Sequence, residues 1–250
     1  MRIACLYDIH ANLPALEAVL ADVRTARADQ IVFGGDILAG PMPRETLDLI
    51  FAVDIPASFI IGNGEIATVD ARRGVMDSRV PEMFHAAMYW NGEQLTDADV
   101  RTIGAWPMTL RRAVEGVGDV LFCHATPRDA NEVFLKTTSE EKLRPLFDPL
   151  CAAVIVCGHT HMQFDRMIGA TRVINAGSVG MPFQFPGGAY WALIDRDVEL
   201  KRTNYDLDAA AARIRATAYP SAEFSATMML RPPTEAITLA QFTPNELQGP

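Results

Sequence analysis

The chain has 250 residues, 49% of them hydrophobic, and its 22 basic and 31 acidic side chains leave a formal charge of −9. That length fits one large domain with a full core, and the acidic balance argues against charge-driven binding along a nucleic-acid backbone. No apolar run nears the ~18–20 residues of a membrane span, and Cys5, Cys123, Cys151 and Cys157 lack CxxC spacing, so they read as small, mostly buried residues of a reducing compartment.

Residues 3–7 form a short apolar run ending at Asp8. Asp8 and His10 interrupt it too early for a signal peptide, so it reads as a buried first strand of a cytoplasmic protein. Leu13, Leu16, Val19, Leu20 and Val23 then recur at helical spacing, from a start near Asn12-Leu13-Pro14. Gln30-Ile31-Val32-Phe33 reads as a second strand ending in Gly34-Gly35-Asp36, and the turn Gly40-Pro41-Met42-Pro43 leads into a helix through Leu47, Ile50 and Phe51. Ser58-Phe59-Ile60-Ile61 is a third strand, ending in Gly62-Asn63. Strand–helix–strand order favours parallel pairing with right-handed crossovers, and open α/β sheets place their sites past the carboxyl ends of such strands.

The stretch 66–107 reads as two helices, one over 80–90 and one from Thr96-Asp97, where Thr96 and Asp99 form a capping box. It carries no motif and is expected beside the site or over its rim. From Met108 the pattern turns to strands: a hairpin through Glu115-Gly116-Val117-Gly118 delivers Val120-Leu121-Phe122 to His124. A buried strand over 153–157 ends at Gly158-His159, and further strands follow over 172–175, 189–195 and 198–203. An alanine-rich helix covers 207–218; beyond Arg231-Pro232-Pro233 the polar, proline-bearing sequence reads as a mobile end.

The strand ends carry the chemistry. Asp8-Ile9-His10, Gly34-Gly35-Asp36, Gly62-Asn63-Gly64-Glu65, Cys123-His124, Gly158-His159-Thr160-His161 and Asn175-Ala176-Gly177-Ser178 occur in that order, leaving only His85 outside. Asp8, His10, Asp36, Asn63, His124, His159 and His161 make a ligand set suited to two divalent metals sharing one carboxylate. Two such ions can clamp a phosphoryl group and lower the pKa of a bridging water. His85, in a helical run without a partner, reads as an ordinary structural histidine.

In this order the motifs resemble the calcineurin-like metallophosphoesterase superfamily, and within it the compact prokaryotic phosphodiesterase branch. The likeness runs from Met1 to about Thr203 and includes Asp8-Ile9-His10-Ala11-Asn12 and the Gly40-Pro41-Met42-Pro43 turn. It implies an α/β fold, a four-layer α-β-β-α sandwich of two mixed sheets flanked by helices. The phosphoesterase domain would span 1–205, with 66–107 as a helical insertion near the rim. A C-terminal helix and tail over 206–250 would pack on the same domain. One metal would be held by Asp8, His10, Asp36 and His161, the other by Asp36, Asn63, His124 and His159, with Asp36 bridging. Asp36, His124 and Asn63 are the candidate catalytic residues. The cofactors implied are two divalent transition-metal ions, manganese first among them, with iron, zinc, nickel or cobalt as alternatives. A water or hydroxide between them would attack phosphorus in a small phosphodiester, nucleotide-like or other phosphate ester.

Two departures narrow this. Larger phosphatases of the superfamily carry a histidine where this chain has Gly64, and glycine can neither protonate a leaving group nor bind phosphate through a side chain. That favours diesters over alkyl monoesters. Asp36 is followed by Ile37-Leu38-Ala39, without the Asp-Arg pair of phosphoprotein phosphatases. A nuclease acting on polymers loses support from the net charge and the lack of a basic-aromatic groove. The rival reading is a catalytically weak metal-binding scaffold on the same fold, against which stand seven intact ligand positions.

Several neighbours have two readings. Glu65 is either a support behind Asn63 or a histidine, or a solvated acid. Asn12 either donates toward the site or caps a helix. Asn175 and Ser178 are read as supports near the metals. Arg128 could reach a phosphate or be an ordinary surface arginine, and Met228-Met229-Leu230 reads as a docking patch for the tail.

Overall fold

The computed structural model describes residues 1–247. The first half alternates as the hydrophobic spacing predicts: β1 (Ile3–Leu6), α1 (Leu13–Thr25), β2 (Gln30–Phe33), α2 (Pro43–Phe51), β3 (Ala57–Phe59) and α3 (Asn63–Arg72). Then come α4 (His85–Glu93), α5 (Asp97–Ile103), the hairpin β4 (Thr109–Val114) and β5 (Gly118–Cys123), α6 (Glu140–Phe147), β6 (Val154–Cys157), β7 (Phe164–Ile168), β8 (Thr171–Asn175), β9 (Ala189–Ile194) and β10 (Val198–Thr203). The chain closes with α7 (Leu207–Arg215), α8 (Ala222–Leu230) and α9 (Glu235–Phe242).

The strands form two mixed five-stranded sheets, ordered β10-β9-β1-β2-β3 and β4-β5-β6-β8-β7. In the first, β1, β2 and β3 are parallel and β9 runs antiparallel to β1, opposing Ile3 with Ile194. Because a strand's side chains alternate between faces, β1 serves two layers at once. Ile3, Cys5 and the adjoining Tyr7 meet Val120, Phe122, Val154 and Val156 of the second sheet. Ala4 and Leu6 face the other way, against Leu16, Val19 and Leu20 of α1. On the far side, Leu121, Ile155 and Val173 pack on Leu143 and Phe147 of α6. Helix, sheet, sheet, helix is the layering expected.

The helix starts follow local chemistry. Asn12 caps α1, its side chain accepting from the Ala15 N–H at 3.2 Å, with Pro14 in the first turn. Thr96 and Asp99 form the reciprocal box at α5, and Asp99 also pairs with Arg44 of α2 at 2.7 Å. The structure adds elements that spacing did not reveal: α3, α6, α8, the edge strand β7 and α9. The end beyond Arg231, read as mobile, forms α9, whose Leu239 and Phe242 pack with Phe183 against Val133, Leu135 and Met162. Helices α7 and α8 lie against Leu13 and Met42 through Ala210, Ile214, Ala226 and Met229. Among the described residues no helix is long and apolar enough to cross a membrane.

Candidate metal centre

Every sequence-predicted ligand lies at or just past a strand's carboxyl end or at the start of α3, and the two sheets bring them to one point. Asp8, His10 and His161 offer ligand atoms within 4.8 Å of one another, as do Asp36, His124 and His159. Asp36 links the groups: Oδ2 lies 3.8 Å from His10 Nε2 and Oδ1 3.4 Å from His124 Nε2. Asn63 Oδ1 joins the second group, 3.0 Å from His124 Nε2.

Each imidazole is oriented by a backbone carbonyl. The Nδ1 atoms of His10, His124 and His161 lie 3.1, 3.0 and 2.7 Å from the carbonyls of Ala39, Gly34 and Met181. His159 is reversed, with Nε2 3.1 Å from the Asn131 carbonyl. The nitrogen facing a carbonyl carries a proton, so in the neutral ring the other offers its lone pair to the cluster. Two such lone pairs, His10 Nε2 and His161 Nε2, stand 3.0 Å apart. Asp8 Oδ1 is fully buried and has no hydrogen-bond partner, with His161 Nε2 at 3.3 Å. A buried carboxylate oxygen among lone pairs is a costly arrangement unless a cation joins them, so the residues present fit a pair of divalent ions.

The electrostatics point the same way. Burial opposes charge on Asp36, but His124, His10 and His159 hold its carboxyl well below the usual range. Burial also pulls His124 down, yet Asp36, Asp8 and the Gly34 carbonyl together push it up to about 10. Burial, then the neighbouring His124, pushes His159 down to about 4. The carboxylates draw positive charge, proton or metal ion, to the middle of the cluster.

The backbone is bent to serve this geometry. Asp8, His10, Asp36, His159 and His161, five of the seven candidate ligands, have φ between 48° and 68°. Non-glycine residues rarely sit there, and several together mark a site whose surroundings override local preference. Those surroundings are visible: the N–H groups of Asp8, His10 and Ala11 donate to Gly35, Asp36 and Ile37 carbonyls, tying the two ligand loops together. Gly35, at φ 93°, admits no side chain, since a Cβ would stand 2.7 Å from His124 Nδ1.

The supporting residues sort clearly. Glu65 is buried and accepts from the N–H groups of Asp36, Ile37, Leu38 and Gly62, at 2.7, 2.6, 3.1 and 2.9 Å. It therefore ties the Asp36 loop to α3; burial and then the Asp36 charge push its pKa up to about 7. Asn175 donates to the Gly158 carbonyl and Thr160 Oγ1, and Ser178 donates to the Asp8 carbonyl. Asn12 is the helix cap and also donates to the Gly180 carbonyl at 2.8 Å. Arg128 is engaged by Glu132, and His85 bonds the Val80 carbonyl within its own segment. Met229 docks the tail, whereas Met228 lines the cleft above the ligands. Sequence reasoning missed Asn91, which is buried and accepts from Gly40 N–H at 3.2 Å, steadying the turn after Ala39. It also missed Asn131, whose contribution is a backbone carbonyl and leaves no residue-type signal.

Above the cluster opens a cleft of about 460 Å³, floored by His10, Asp36, Asn63, His159 and His161. A larger concavity beside Glu140 and Arg144 on α6 contains none of these groups.

Residues 1–197 match the model of the calcineurin-like phosphoesterase superfamily domain. An uncharacterized protein of Methanocaldococcus jannaschii is 25% identical over 235 residues, spanning 85% of this chain and 91% of the relative. A hypothetical protein of Pyrococcus horikoshii shares the fold with a TM-score of 0.78 at 19% identity, covering 91% of this chain and 97% of that one. A metallophosphoesterase from Sphaerobacter thermophilus gives a TM-score of 0.70 at 26% identity, covering 92% and 98%.

Proposed function

The chain belongs to the calcineurin-like phosphoesterase superfamily, and we propose that it is a dinuclear-metal phosphoesterase that hydrolyses small phosphodiesters in preference to alkyl monoesters. The observation that carries this reading is the pair of ligand triads joined through Asp36 at the floor of an open cleft. The metallophosphoesterase of Sphaerobacter thermophilus, alike along nearly its whole length, supports it.

Asp8, His10, Asp36 and His161 would hold one ion, and Asp36, Asn63, His124 and His159 the other. Manganese is the first candidate, with iron, zinc, nickel and cobalt as alternatives. Two such ions supply Lewis acidity toward the phosphoryl oxygens and lower the pKa of a water between them. The chain's own contribution is preorganisation. Carbonyls fix the four imidazoles, Glu65 holds the Asp36 loop, and the Gly64 N–H, in the first turn of α3, donates to Asp36 Oδ1 at 2.6 Å. Position 64 offers no side chain to protonate a departing oxygen, so esters whose leaving group is stable as an anion react best.

The test is turnover of a nitrophenyl phosphodiester beside the matching monoester, with the protein stripped of metal and reloaded with manganese. Manganese-dependent hydrolysis, faster on the diester and reduced on the order of 100-fold by Asp36→Ala or His161→Ala, is expected. Stoichiometric metal binding without turnover of either ester would replace this reading by the scaffold alternative.

A further inference from the structure

The walls of the cleft differ in chemistry from its floor. Phe84 and Met88 come from the segment after α3, Phe224 and Met228 from α8, Phe183 from the loop after β8, and Phe242 from α9. Phe84 and Phe224 meet edge-on at 5.5 Å. Phe183 lies 4.4 Å from the ring of His161, with Phe242 beyond it at 6.1 Å, so aromatic surface runs outward from the ligands themselves. Phe224 keeps 39% of its surface exposed. Rings and thioethers of this kind accept flat apolar groups through edge, face and sulfur contacts.

Cationic side chains are scarce here. Arg79 is the one lysine or arginine lining the cleft among the described residues, and Asp77 already engages it, its Nη2 lying 2.8 Å from Oδ2. Asp129 stands at 3.7 Å from the same guanidinium. A second phosphate on the substrate would find no unpaired arginine or lysine to receive it, although paired anionic recognition ordinarily depends on one.

We infer that this cleft takes esters of a single phosphate whose other arm is a bulky, uncharged aromatic group, and that it disfavours arms bearing further negative charge. The inference rests on the phosphoesterase reading for the position of the phosphate, and it adds the class of substrate.

Non-hydrolysable one-armed probes test it on the full-length, manganese-loaded protein by calorimetric titration: methylphosphonate, naphthylmethylphosphonate, octylphosphonate and 4-phosphonobutyrate. Naphthylmethylphosphonate is expected to bind roughly tenfold or more tighter than methylphosphonate, and 4-phosphonobutyrate no tighter than methylphosphonate. Phe224→Ala, at a partly exposed position of α8, is expected to reduce the naphthyl advantage about threefold or more. Equal affinity for all arms, or an advantage untouched by Phe224→Ala, would overturn the assignment of the cleft. An octyl arm as good as the naphthyl arm would overturn its aromatic character, and tighter binding of the carboxylate arm its charge preference. Because binding is read separately from hydrolysis, the expected affinity order without turnover of nitrophenyl esters would leave the cleft assigned and reject the catalytic reading.

Discussion

A Cβ at Gly64 would stand 2.9 Å from Asp36 Oδ1 and 3.1 Å from Ala39 Cβ, while the Gly64 N–H already donates to that carboxylate. The missing side chain is thus a packing condition on Asp36 as well as a chemical deficit. Gly64→His, meant to restore an acid, is therefore expected to push Asp36 aside. It should weaken manganese binding about tenfold, within the range seen when groups that orient a ligand are disturbed, and give no gain in monoester turnover. Calorimetric titration with manganese and assay of the nitrophenyl monoester check both parts; a faster monoesterase with unchanged metal affinity would refute it. At this scale the seven candidate ligands were legible in the sequence because Asp, His and Asn announce their chemistry. The carbonyls of Gly34, Ala39, Asn131 and Met181, which orient the rings, were not, since every residue owns one.

Helix α1 shows how an element and the site depend on one residue. Asn12 caps its start through Ala15 N–H and, from the same side chain, binds the Gly180 carbonyl of the loop that follows Ser178. Asn12→Ala removes both bonds and should cost about 1–2 kcal/mol, a fall in Tm of roughly 2–8 °C for a domain of this size, measurable by thermal denaturation. A loss within error would mean that water replaces both bonds. The legible elements were those with clean periodicity, such as β1, where alternate residues feed alternate layers. Those that escaped had physical reasons. Helix α3 opens on Asn63-Gly64, a poor helical start chosen by the site, and β7 sets only Phe164 and Ile168 inward, with Asp165 and Met167 exposed. Helix α9 follows Pro232-Pro233, and its apolar contacts come from Val133, Leu135, Met162 and Phe183 on distant segments that no local pattern announces.

For the whole molecule, the candidate ligands join both sheets. Asp8, His10 and Asp36 leave the first sheet, while His124, His159 and His161 leave the second. An ion bound across them would clamp the two halves together and stabilise the folded state by mass action. Manganese at one hundred times its dissociation constant should add about 2.7 kcal/mol, and so raise Tm by roughly 5–11 °C for a chain of this length. A chelator should reverse the shift, and scanning calorimetry reads both. An unchanged Tm at saturating metal would mean that the folded state binds the ion no better than the unfolded chain does.

The first sheet is interrupted in the chain by the second: β1 has β2 on one side and, on the other, β9, which begins at Ala189. During synthesis β1 therefore waits for its second neighbour until β9 has left the ribosome. Neither candidate ligand set is complete before Gly158-His159-Thr160-His161 has emerged. A metal centre built on these residues would therefore assemble only once strands of both sheets are available.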